Sequence, residues 1–97
     1  MISTHVLDTE HGQPAAGMKV GLYRGTDLIS LQETDENGRI ANLADGPLDP
    51  GEYRLVFYVS GGFFEKVDLT LAIVEPDAHY HVPLLVSSYS CTTYRGT

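Results

Sequence analysis

The sequence predicts an all-β fold, two packed antiparallel sheets built from seven to eight short strands, on three observations. Apolar and polar residues alternate, or run apolar, over stretches of roughly five to nine residues rich in β-branched and aromatic side chains, the pattern of strands. Gly, Pro, Asn and Asp cluster between those stretches, where the chain must reverse or take positive φ. No window carries a sustained apolar stripe at helical spacing, and the Gly and Pro punctuation leaves little room for one.

The elements follow in order. THVLDT (4–9) opens the chain as a strand and runs into the turn EHGQPAAG (10–17). MKVGLYRG (18–25) is the next strand, and TDENGRI (34–40) holds Asn37-Gly38, a pair that predicts a hairpin turn, with Arg39 directly after it. ADGPLDPG (44–51) turns the chain into GEYRLVFYV (51–59). There Tyr53, Leu55, Phe57 and Val59 share one face and read as core, while Arg54, Val56 and Tyr58 share the other. SGG (60–62) leads into EKVDLTLAIV (65–74), whose Val67, Leu69, Leu71 and Ile73 form a second inward face opposite Asp68 and Thr70. Burial of such side chains is worth about 1.5–3 kcal/mol each before entropy is counted. HYHVPLLV (79–86) is the last clear strand, followed by the polar tail SSYSCTTYRGT (87–97).

Bulk properties narrow the function. Ninety-seven residues, 42% of them hydrophobic, support one globular domain over 1–97, of a size often stabilised by oligomerisation. Six Lys+Arg against 13 Asp+Glu give a formal charge of -7, which repels phosphate backbones and anionic lipid surfaces, so neither nucleic acid nor membrane is expected as a partner. One cysteine, Cys91, excludes an internal disulfide framework. The chain opens without a basic, then apolar, export signal, and no run reaches membrane-span length, so a cytoplasmic location is expected.

Candidate chemistry rests on histidine and arginine. Spacing of i, i+2 puts His79 and His81 on one strand face, where they can share a pocket; His5 lies in the first strand and His11 in the turn after it. A zinc site wants three or four ligands, and neither the lone cysteine nor the carboxylates fall at metal spacing, so no metal is predicted. There is no G-x-S-x-G elbow, and Cys91 has no neighbour that signals an activated thiolate. Composition and spacing by themselves therefore reach an all-β domain with a histidine site.

Taken in order, ISTHVLDTEHGQPAAGMKVGLY, TDENGRI, LDPGEYRLVF and HYHVPLLVSSYSCTTYRGT resemble the 5-hydroxyisourate hydrolases, transthyretin-like enzymes of urate breakdown. The resemblance runs nearly end to end. Its most specific parts are STHVLD, HYHVPLL and the closing YRGT, which is similar to the Tyr-Arg-Gly-Ser ending of that family. It implies a transthyretin-like (prealbumin-like) β-sandwich that dimerises by extending its sheets and pairs dimers into a homotetramer around a central channel holding the active sites. The implied reaction hydrolyses the cyclic amide of 5-hydroxyisourate to 2-oxo-4-hydroxy-4-carboxy-5-ureidoimidazoline, with no metal or organic cofactor. The family's active-site set falls on His5, Arg39, His81 and Thr97. His5 and His81 would activate water and transfer protons, Arg39 would hold and polarise the substrate, and Thr97, with Tyr94 and Arg95, would close the pocket wall. The resemblance carries over no role for His79.

The sequence departs from that pattern in three places. YVSGGFFEKVDL joins two strands with only a few residues where relatives insert a short helix, so that helix is expected to be reduced or absent. Ser88 stands where proline is usual and Cys91 where tyrosine is usual. Thr97 replaces the usual serine and keeps its hydroxyl. The alternative reading is a transthyretin-like, non-enzymatic carrier of a small ligand, a fold relative that lacks the histidine at the position of His81 and the YRGS-like ending.

Overall fold

In the computed structural model, which describes residues 1–44 and 46–97, nine strands fall into two sheets. They are β1 (Ile2–Asp8), β2 (Gln13–Pro14), β3 (Lys19–Arg24), β4 (Asp27–Glu33), β5 (Arg39–Ile40), β6 (Gly51–Tyr58), β7 (Val67–Ile73), β8 (Tyr80–Val86) and β9 (Cys91–Thr93). One sheet runs β4-β3-β6-β7; the other runs β2-β1-β8-β9, with β5 also on β1. Two two-residue pieces, β2 and β5, lift the number above the seven or eight expected. Asp45, inside the expected turn 44–51, lies outside the described residues.

Every pairing is antiparallel except that of β1 with β8, which is parallel from Ile2 opposite Tyr80 to Asp8 opposite Val86. The chain enters β8 from β7, which belongs to the other sheet, so no tight turn dictates its direction and the core face does. Alternation sends Ile2, Thr4 and Val6 of β1, and Tyr80, Val82 and Leu84 of β8, into the space between the sheets, where all are buried. Thr4, the polar member of this set, is satisfied by donating its hydroxyl hydrogen to the Val82 carbonyl at 2.6 Å. Val20, Leu22, Tyr53, Leu55 and Phe57 meet them from the second sheet. Tyr53, Leu55, Phe57 and Val59 are buried as the alternation predicted. Val67, Leu69 and Leu71 point inward but stay half-buried, because β7 is an edge strand; only Ile73 of that set is sealed.

Two connections differ from a simple hairpin reading. Asn37-Gly38 does form a turn, but the turn does not close a hairpin: β4 ends in one sheet, and β5 pairs with β1 in the other. Ile40 is buried in this arrangement, opposite Thr4 of β1. Between β6 and β7, residues 59–66 contain no helix, in line with the shortened segment. The loop lies back on the β8–β9 connection instead, the Phe63 N–H donating to the Ser88 carbonyl at 2.7 Å.

Phe57 is fully enclosed between the sheets. Replacing it with alanine is expected to cost about 3–5 kcal/mol of folding free energy, read from the midpoint of a chemical denaturation curve.

Candidate active site

The outward face of the β1–β8 sheet is where the titratable side chains gather. With Ile2, Thr4 and Val6 committed to the core, Ser3 and His5 must point the other way, and the parallel register sets Ser3 beside His81 and His5 beside Pro83. On the far side of β1, β5 sets Arg39 beside His5. Three segments far apart in sequence thus share one surface. A cleft of about 370 Å³ opens there, lined by Ser3, Thr4, Asp35, Arg39, Ile40, Ala41, His79, His81 and Thr97. That volume lies in the range of small-molecule sites, roughly 300–1,000 Å³.

Arg39 is aimed by its turn. The Asp35 carboxylate Oδ1 accepts the backbone N–H groups of Asn37 and Arg39, each at 2.9 Å, and the Asp35 carbonyl takes the N–H of Gly38. Gly38 has φ +77°, and a side chain there would run into the Val6 carbonyl, so glycine alone fits. The guanidinium itself is exposed. Among the described residues the ion pairs are His11–Asp8 and Arg54–Asp68, so Arg39 keeps its donors for a ligand.

His81 is half-buried, and its Nδ1 lies 2.8 Å from the Ser3 hydroxyl. Burial, and then the positive charge of Arg39, His79 and His5, hold its pKa below the ordinary 6.5. At neutral pH the uncharged ring is therefore favoured, and its Nε2 has no hydrogen-bond partner among the described residues. Ser3 also touches His79 Nε2, at 2.7 Å. His5, the next outward residue on β1, is near enough to act on His81 electrostatically but does not line the cleft.

The tail returns to this place through an interrupted ladder. β9 pairs with β8 from Val86–Cys91 to Leu84–Thr93, lapses at Tyr94 and Arg95, and resumes in a bridge between His81 and Gly96. The lapse falls beside Pro83, which has no N–H to donate. Gly96 donates to the His81 carbonyl at 2.7 Å and its α-carbon packs against the His81 ring, where a side chain would collide; Thr97 then reaches the cleft. Tyr94 and Arg95 go elsewhere. They line an open groove of about 350 Å³ with Leu69, Leu71, Ile73, Tyr80 and Val82, Arg95 lying 4.5 Å over the Tyr80 ring.

Comparison with known proteins bears on what such a face does. The sequence profile described as the HIUase/Transthyretin family matches residues 2–96. The chain belongs to that family. A 5-hydroxyisourate hydrolase 2 of Rhizobium meliloti (strain 1021) is 42% identical over 118 aligned positions, covering 99% of this chain and 95% of the relative. The structure of Klebsiella pneumoniae 5-hydroxyisourate hydrolase superposes with a TM-score of 0.91 at 31% identity, over 99% of this chain and 98% of that one. Sea bream transthyretin, solved in complex with thyroxine, superposes with a TM-score of 0.85 at 26% identity, over 99% and 94%.

Of the residues singled out from sequence, Arg39, His81 and Thr97 meet in one cleft, His5 stands at its margin, and Tyr94 lies in the neighbouring groove. Ser3 and Asp35 were passed over. Ser3 shares a strand face with His5, but its meeting with two histidines follows from a parallel pairing that no local signal announces.

Two outcomes are expected. Gly38→Ala destabilises the fold by about 1–3 kcal/mol from its backbone strain, with the carbonyl collision added, measured by thermal melting. Arg39→Gln removes one of the charges that disfavour protonation of His81, so the His81 titration followed by NMR moves up toward 6.5. Because the folded value lies below the unfolded one, stability contributed by this group is whole above pH 6.5 and declines as pH falls through the folded pKa.

Proposed function

We propose that the protein is a 5-hydroxyisourate hydrolase that opens the cyclic amide of 5-hydroxyisourate to give 2-oxo-4-hydroxy-4-carboxy-5-ureidoimidazoline. The observation that carries this reading is an unpaired guanidinium, Arg39, sharing a cleft with a neutral imidazole, His81, in a chain whose relatives bear that activity in their names. Amide hydrolysis needs a water deprotonated as it attacks, charge stabilised on the carbonyl oxygen, and a proton for the departing nitrogen. His81 and His5 share water activation and proton transfer, each such role worth about 10²- to 10⁴-fold in rate. Arg39 grips the anionic, urate-like ring and offsets the oxyanion, and Thr97 lines the wall.

Assembly belongs to the same reading. On one side of the sandwich β7 and β9 are the terminal strands of their sheets, and the apolar groove of Leu69, Leu71 and Ile73 runs between them. We assign this edge to a second copy of the chain, which extends both sheets, and the outward face of β1 and β8 to the channel of a dimer of dimers. Tyr94, on the groove side of the tail, then closes the substrate pocket from across a subunit boundary. We place the reaction in the cytoplasm, where a chain with one unpaired cysteine, Cys91, is at home. No helix among the described residues is long and apolar enough to cross a membrane.

The test follows the ultraviolet absorbance of 5-hydroxyisourate made freshly from urate. The wild type accelerates its decay, and His81→Ala lowers kcat by about 10²- to 10⁴-fold while the fold survives. Arg39→Lys also loses rate, since an ammonium does not reproduce the planar fork. A folded wild type that leaves the decay unchanged overturns the enzyme reading in favour of a ligand carrier.

A further inference from the structure

Within the hydrolase reading, on which this inference rests, we propose that Ser3 is a positioning residue that joins His81 to His79 in a proton relay, with His79 as the outer proton store. Ser3 is nearly sealed, 7% exposed, and its Oγ stands 2.8 Å from His81 Nδ1 and 2.7 Å from His79 Nε2. The two ring centroids are 6.3 Å apart, so the hydroxyl is their link. A serine hydroxyl has one hydrogen. It donates to one ring and must accept from the other, which forces the two imidazoles into complementary tautomers. When His81 Nδ1–H donates to Ser3 and Ser3 donates to His79 Nε2, the remaining nitrogen of His81, Nε2, is a bare acceptor among the described residues.

The relay closes without any outside reagent. An O–H bond of the attacking water breaks and its proton goes to His81 Nε2, while the hydroxide adds to the ring carbonyl carbon. The Nδ1 proton of His81 passes to Ser3 Oγ, and the Ser3 proton passes to His79 Nε2. His81 stays neutral throughout, and the positive charge rests on His79, which is exposed to water. When the carbon–nitrogen bond breaks, His81 Nε2–H protonates the leaving nitrogen and His79 returns its proton through Ser3. This arrangement suits a ring that already faces Arg39 and His5 and is costly to charge. Asp35 also lines the cleft, with its Oδ1 engaged by the Arg39 turn, and Arg95 approaches the His79 carbonyl.

The experiment measures kcat and KM against pH for Ser3→Ala, Ser3→Thr, His79→Ala and the Ser3→Ala/His79→Ala double variant, beside 15N NMR titration of the histidines. Each alanine variant is expected to lose about 10²-fold in kcat, the lower end of what one proton-transfer group contributes, with KM unchanged. The double variant is no slower than either single one, because both break one path, and Ser3→Thr recovers most of the rate. Wild-type kcat and pH profile in Ser3→Ala, or losses that multiply in the double variant, overturn the relay. If the folded wild type shows no turnover, the hydrolase reading alone fails and the titrations decide. Linked titration of His79 and His81 that becomes independent in Ser3→Ala supports the relay, and identical titrations in both proteins overturn it.

Discussion

β1 and β8 lie side by side and parallel although 78 residues separate Ser3 from its partner His81, and the candidate site exists only because of that pairing. Its strength comes from the core, since Ile2, Val6, Val82 and Leu84 are all buried between the sheets. A slip of β8 by one residue would turn Val82 and Leu84 to solvent and bring His81 inward. The energetic demand of the interior therefore sets the register of the exterior, and the polar face inherits its geometry from an apolar one.

Arg39, exposed and without an ion pair among the described residues, sits on a chain with a formal charge of -7. Screening resolves the conflict: at physiological ionic strength, charges beyond about 8 Å are largely masked, so Arg39 governs its own surroundings. The Asp35 carboxylate is close by, but two backbone N–H groups already engage its Oδ1, so it serves the turn more than it quenches the guanidinium. After burial, the same Arg39 charge is what holds the His81 pKa below its ordinary value. One side chain thereby sets both the local charge of the cleft and, after burial, the protonation of His81.

The tail shows how a single residue redirects a strand. Pro83 has no N–H to offer, β9 lapses beside it, and Tyr94 and Arg95 turn to the groove at β7 before Gly96 rejoins His81. Small size matters at that rejoining, since the His81 ring occupies the space a Gly96 side chain would need. Residues 94–97 consequently touch two surfaces, one at the histidines and one at the open sheet edge.

Much of this was written locally. Alternation in GEYRLVFYV set the buried face of β6, and the shortness of 59–65 announced the missing helix, because period and loop length are properties of neighbouring residues. Arg39, His81 and Thr97, which share the cleft, and His5 beside Arg39 stood out in the sequence through their motifs. What tertiary structure alone decided was non-local: that the Asn37-Gly38 turn crosses between sheets, that β4 and β9 form from weakly patterned segments held by their partners, and that Tyr94 faces away from the histidines within the chain. Ser3 belongs to this second group, for its two histidine contacts depend on a parallel pairing whose stability comes from burying the opposite faces of both strands, which no short stretch of sequence contains.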